Sequence, residues 1–153
     1  MTVKDYFNKV QNKIQEAANQ IKAGELVAVK QVEGMMKQRV FNAGADSNNA
    51  PIGTYSPGYA KKRAREGRQT AYKDLQMTGH LFNSIKAGKN STGRTTLGIV
   101  ASMDKKAGVT ASQKATYQEE QTGRVIFEPS ENELSRAKKI MKEHIAKAMK
   151  LKW

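Results

Sequence analysis

Residues 75–85 read Leu-Gln-Met-Thr-Gly-His-Leu-Phe-Asn-Ser-Ile, the most patterned turn in the chain. Leu75, Leu81, Phe82 and Ile85 are apolar anchors. Between them Thr78-Gly79 is a small polar pair whose hydroxyl can hydrogen-bond nearby amides. The pattern predicts a chain reversal, with Thr78 as N-cap of a short helical turn reaching Ser84 and Gly79 removing the steric objection to a sharp start. Ile85 then leaves into a strand.

Downstream of Ile85 the residues alternate as helices do not. Thr95, Leu97, Ile99 and Ala101 fall on one side of an extended segment and Thr96, Gly98 and Val100 on the other. The polar stretch Gly88 to Gly93 suits the turn of an antiparallel hairpin. It is no phosphate cradle, since no Lys-Ser or Lys-Thr follows its second glycine. Ala101 to Lys114 reads as an exposed excursion. Ala115 to Gln121 reads as a helical turn that carries Tyr117 inward and ends on Gly123 as C-cap. Val125 to Phe127 reads as a short strand. Ser130-Glu-Asn-Glu133 is a capping box, followed by Leu134, Ala137, Met141, Ile145 and Ala148 as an apolar face for packing on the sheet. Lys142, Lys147, Lys150 and Lys152 lie late in that helix, where its dipole favours cations.

Upstream, Phe7, Val10, Ile14, Ala17 and Ile21 recur three and four apart, as do Val29, Val32, Met36 and Val40, so Val3 to Phe41 reads as helix. Gly24 between the two sets is expected to bend or break it, and Gly34 is a lesser weak point. The stripe reads as too discontinuous for a coiled coil. A helix packed on its own domain is therefore expected ahead of a partner-binding one, with part of it left for a neighbouring subunit. Asn42 to Tyr59 is loop by composition, and Ser56-Pro57 opens a short helix from Tyr59 to Arg65. Lys61, Lys62, Arg63, Arg65 and Arg68 form the densest basic run and are the candidate contacts to a partner or to DNA; a solvated loop is the competing reading.

The chain is thus read as one α+β domain, residues 1–153. It has a helical part at 1–41, a loop with the basic run at 42–74, a turn with antiparallel strands at 75–127 and a helix at 130–150. The long N-terminal helix and the C-terminal helix flank a small, mostly antiparallel sheet. With 27 Lys and Arg against 14 Asp and Glu, a net charge of +13, acidic partners are expected, nucleic acid or an acidic protein surface. The absence of cysteine excludes disulfides and thiolate chemistry, and two histidines leave little for a zinc site. Glu119 and Glu120 are neighbours that do not converge, and read as solvated. His80 and His144 read as structural. No metal, cofactor or catalytic residue is expected. No apolar run is long enough to cross a bilayer and no secretory signal is present, so a protein soluble when made is expected. Trp153 is either an anchor to a partner or solvated.

Leucine, two residues, threonine-glycine, one residue, leucine, two residues, serine-isoleucine resembles the signature of the tailed-phage virion-morphogenesis proteins, a family of neck and tail-completion components. Pro51-Ile-Gly-Thr-Tyr-Ser56 is similar to the family's segment after its first helix, with Tyr55 where tryptophan is common. Ala115 to Arg124 is similar to its glutamine- and glycine-containing segment, and Arg124-Val-Ile-Phe127-Glu-Pro129 stands for its arginine-proline-phenylalanine run. Leu75, Thr78, Gly79, Leu81, Ser84, Ile85 and Gly123 carry the likeness. The resemblance implies a non-enzymatic virion protein, assembled in the host cytoplasm as a homo-oligomeric ring at the head-to-tail junction. It would meet neighbouring connector and tail proteins, and DNA would pass through it. The alternative is a free basic protein that packages or compacts nucleic acid without sequence preference.

Overall fold

A computed structural model of the protein describes residues 2–76, 78–105 and 107–150; Lys152 and Trp153 lie outside the described residues. The architecture is α+β. Helix α1 runs from Val3 to Lys37, about 52 Å at 1.5 Å per residue, and starts on a capping box between Thr2 and Asp5. It passes directly into a π-helical turn, Gln38–Asn42. Two more short helices come next, α2 at Pro57–Arg65 and α3 at His80–Ser84. The antiparallel hairpin of β1, Ile85–Lys89, and β2, Thr95–Ile99, pairs Ile85 with Ile99 and Lys89 with Thr95. A second, two-residue hairpin joins β3, Met103–Asp104, to β4, Val109–Thr110. The chain ends with α4, Ala111–Thr122, and α5, Glu131–Met149.

The helix does not break at Gly24. A Cβ on that residue would lie 2.5 Å from the His144 Cβ, so the glycine lets α5 approach α1 closely. Its cost in helix propensity, about 1 kcal/mol against alanine, is offset by the packing that this approach allows. Glu133 meets Arg39 and His144 meets Gly24, so α5 runs antiparallel to α1 and packs along it, not on the sheet as expected. Its inner face is rotated accordingly. Glu133, Ile140 and Ala148 are buried, while Leu134 and Ile145 are exposed.

The core gathers Met36, Val40 and Phe41 from the end of α1 and the π turn, Ile52 from the loop after it, Leu81 and Ile85 from the central stretch, Ala111 and Ala115 from α4, and Ile126. Phe82 meets Phe41 edge to face with ring centroids 5.2 Å apart. Side chains of α1 hold the hairpin by its backbone: the Glu33 carboxylate accepts the Ala87 amide at 2.7 Å and Glu25 accepts that of Thr95 at 3.3 Å.

Several expectations are corrected. The excursion expected at 101–114 holds β3, β4 and the start of α4, which opens on a capping box between Thr110 and Gln113. Val125 to Phe127 forms no strand; the half-buried Glu119 carboxylate accepts the amides of Ile126 and Phe127 at 2.7 and 3.0 Å. Glu119 is therefore not a solvated partner of Glu120. Tyr117 is not carried into the core and is more than half exposed.

At the junction of α1, the π turn and α5, Arg39 is buried with all its bonds inside. Its guanidinium donates to both Glu133 carboxylate oxygens and to the carbonyls of Ala45, Ile126 and Glu128. Glu133 also accepts the Ser130 amide, closing the capping box of α5. One ion pair thus ties four segments of chain together.

Candidate functional site: the basic helix and the cleft beside it

Four of the five cations in the basic run are exposed. Lys61, Lys62 and Arg65 stand on the outer face of α2, and Arg68 lies just past it in the loop, paired with Glu66 at 3.2 Å. Arg63 is the correction: it is 1% exposed. On a helix of 3.6 residues per turn Arg63 shares the inner face with Tyr59 and Ala60, so the run cannot point one way.

The Arg63 guanidinium donates to the Asp74 carboxylate at 2.7 Å and to the carbonyls of Gln69 and Gln76 at 3.0 and 2.9 Å. It also lies 4.5 Å from the centre of the Tyr55 ring. The Tyr55 hydroxyl donates to Asp74 at 2.7 Å and accepts the Asp74 amide. Burial and the Asp74 carboxylate push that hydroxyl up to about 12. Burial alone would raise the Asp74 carboxyl, but hydrogen bonds from Gln69, the Gln76 amide and Tyr55, with the Arg63 charge, hold it below its ordinary value.

This clamp shapes the central stretch. Leu75 has φ of +51°, uncommon for a residue with a Cβ, and is bracketed by Asp74, which accepts the Gln76 amide, and by Gln76, whose carbonyl accepts from Arg63. The helical turn to Ser84 and the strand from Ile85 are as expected, and Gly123 caps α4 at φ of +64°. The N-cap of α3, however, is Gly79 at φ of +71°, not Thr78. Thr78 is exposed, and its hydroxyl accepts the His80 amide at 3.4 Å. Leu81, Ser84 and Ile85 are buried.

Arg63 and the central stretch meet at a cleft of about 790 Å³. Tyr55, Tyr59 and Arg63 form one wall, Leu75 and Thr78 to Leu81 the floor, and Lys114, Tyr117 and Gln121 of α4 the other wall. Gly123 lies away from it. The lining is aromatic and basic, with no carboxylate among the described residues. Lys114 is bound to Asp104 across the cleft's edge.

His80, also in that lining, has a serine beside it that sequence spacing does not reveal. Its Nε2 lies 3.1 Å from the Ser102 hydroxyl, and Ser102 lies 2.8 Å from that of Ser84. The Ser84 hydroxyl donates to the His80 carbonyl at 2.7 Å, so its one proton is used. Ser102 must then donate to Ser84, and Nε2–H to Ser102. The chain of donors runs away from the imidazole, and a protonated Nε2 has no lone pair with which to take a proton from Ser102. The Nδ1 atom is buried and has no hydrogen-bond partner among the described residues, so no third group orients the ring. The constellation locks α3 to the segment after β2 and does not prepare a nucleophile. No group of three or more His, Asp or Glu among the described residues is placed to hold a metal ion. No helix among them is long and apolar enough to cross a membrane. No family model, curated protein or solved structure matches the chain.

Proposed function

We propose that the chain is a non-enzymatic virion structural protein of the tailed-phage neck or tail-completion type, several copies of which form a ring at the head-to-tail junction through which DNA passes. The observation that carries this reading is the first half of α1. Val3, Tyr6, Phe7, Ile14 and Ile21 are exposed there, while the other end of the same helix buries Val32 and Met36 and the domain pairs even its interior arginines. A domain so fully satisfied at one end and uncovered at the other is built to be completed by another chain. The residues from Leu75 to Ile85 supply the likeness to the family. The exposed cations of α2 suit a surface that borders DNA phosphates without reading sequence.

A free nucleic-acid-binding protein is the second reading, favoured by Lys61, Lys62 and Arg65 on one face of α2 with Lys73 in the neighbouring cleft. Native mass spectrometry with electron microscopy of negatively stained particles separates the two. Rings of uniform diameter support the virion role. A monomer that shifts duplex DNA, its log affinity falling by about 0.9 per phosphate contacted for each decade of salt, supports the alternative.

A further inference from the structure

The apolar residues at the start of α1, Val3, Phe7, Val10, Ile14, Ala17 and Ile21, are spaced four, three, four, three and four apart. This is a heptad seam, with Val3, Val10 and Ala17 at one of its two core positions and Phe7, Ile14 and Ile21 at the other. It continues into Gly24 and Ala28, which are buried, Gly24 against His144. The stripe is discontinuous only if Gly24 is a break, and α1 is continuous through it. Five residues beyond His144, Met149 ends α5 about 7.5 Å further along, level with about residue 19 of α1. Before that level Val3 is 74% exposed, Phe7 61% and Ile14 56%; at its edge Ile21 is 41% exposed. A helix of that length is marginal in water without a packed face.

We propose that the seam from Val3 to Ile21 pairs with the same seam of a second copy of this chain, as a short parallel coiled coil. Charge favours a second copy in that orientation. The positions flanking the seam are Lys4, Gln11 and Ala18 on one side and Tyr6, Lys13 and Gln20 on the other. In a parallel pair Tyr6 faces the second copy's Gln11 and Lys13 its Ala18, so no like charges meet. An antiparallel pair sets Lys13 against the second copy's Lys13. Area is sufficient as well. Val3, Tyr6, Phe7, Ile14 and Ile21 expose on the order of 500 Å² per copy, so that pairing removes about 1,000 Å², the size at which an interface becomes specific. The inference rests on the multi-copy reading above and names a surface that joins the copies in pairs.

The test is self-association of the whole chain by native mass spectrometry and sedimentation, for the wild type and for a Phe7→Glu/Ile14→Glu variant. Both residues are exposed, so the domain should stay folded by circular dichroism and thermal melting. The wild type should appear as multiples of 17.0 kDa, and the variant should associate at least about a hundredfold more weakly. The chain has no cysteine, so Val10→Cys tests the register: mild oxidation should link it to itself. Cross-linking of Val10→Cys only when mixed with Ile14→Cys overturns the parallel arrangement. Rings that form equally in wild type and double variant overturn the coiled coil and leave the virion reading standing. A pair lost in the double variant, with no rings by microscopy, supports the coiled coil and removes the ring. A wild type that stays monomeric up to its solubility overturns both.

Discussion

The two ends of α1 invert the usual rule of burial. At the C-terminal end charged groups are inside, Arg39 with Glu133 and, across the core, Arg63 with Asp74. At the N-terminal end Val3, Tyr6, Phe7 and Ile14 face outward. The difference teaches that what a side chain meets, more than its own hydrophobicity, decides where it lies. A guanidinium goes inside where its donors find acceptors, and a phenyl ring stays outside where no chain covers it.

The largest effect expected on stability comes from Arg39→Met. It strands the Glu133 carboxylate and three carbonyls, so denaturant unfolding should show a loss of about 3–5 kcal/mol. Replacing both partners, Arg39→Met with Glu133→Leu, should recover most of it. A double variant as unstable as the two losses added together would show that the pair is not what holds this end.

Arg63→Gln should cost about 2–4 kcal/mol, because Asp74 and the carbonyls of Gln69 and Gln76 lose their donor; Lys62→Gln, on the solvated face, should stay within about 0.5 kcal/mol. Equal and small effects would erase the distinction between the inner and outer faces of α2. Acid should probe the same interior. The Asp74 and Asp46 carboxyls are held below their ordinary 3.8; burial opposes this in both, and is outweighed in Asp46 by hydrogen bonds from Arg124 and the Ala50 and Asn48 amides. Groups lowered on folding contribute stability above their unfolded value and lose it as pH falls through the folded one. Stability should therefore be level from neutrality to about pH 5 and decline below about pH 4, more shallowly in Asp74→Asn.

Gly79→Val should cost about 1–3 kcal/mol in a thermal melt. A Cβ there would meet only Asn83 at 3.6 Å, so the penalty is the left-handed backbone and not crowding. The smallest effect belongs to the uncovered end: Ile14→Ser, measured at a dilution where the chain is monomeric, should move stability by no more than about 0.5 kcal/mol. A larger loss would mean that this end is packed after all.

What could be read in the sequence was local. The α3 turn with its exit at Ile85, the hairpin, the Gly123 cap and the Ser130 to Glu133 capping box are all set by residues a few positions apart. The Thr110 to Gln113 box carries the same kind of signal. What escaped depends on partners far along the chain. Glu133 lies 94 residues from Arg39, and nothing near either one announces the pair. Arg63 reads as one more cation of a run that meets a partner or DNA, because its acceptors lie in the loop beyond α2. Val125 to Phe127 has strand composition, but a carboxylate took the amides that a neighbouring strand would have bound. Gly24 carries the signal of a helix break, and only the position of His144 explains why α1 does not take it.

The π turn at Gln38–Asn42 places Arg39, Val40 and Phe41 inside in succession, three buried residues in a row that a regular α-helix would not present to one side. One residue is spent on that widening, so chain length itself is constrained there. Deleting any one of the five would return the turn to α-helical pitch, in which three successive residues no longer share one side. Either the guanidinium or the phenyl ring would then leave the interior. The start of α1 has no such constraint: whole heptads can be gained or lost without disturbing the domain. Insertions and deletions among related chains should accordingly fall in the first twenty or so residues and spare the π turn.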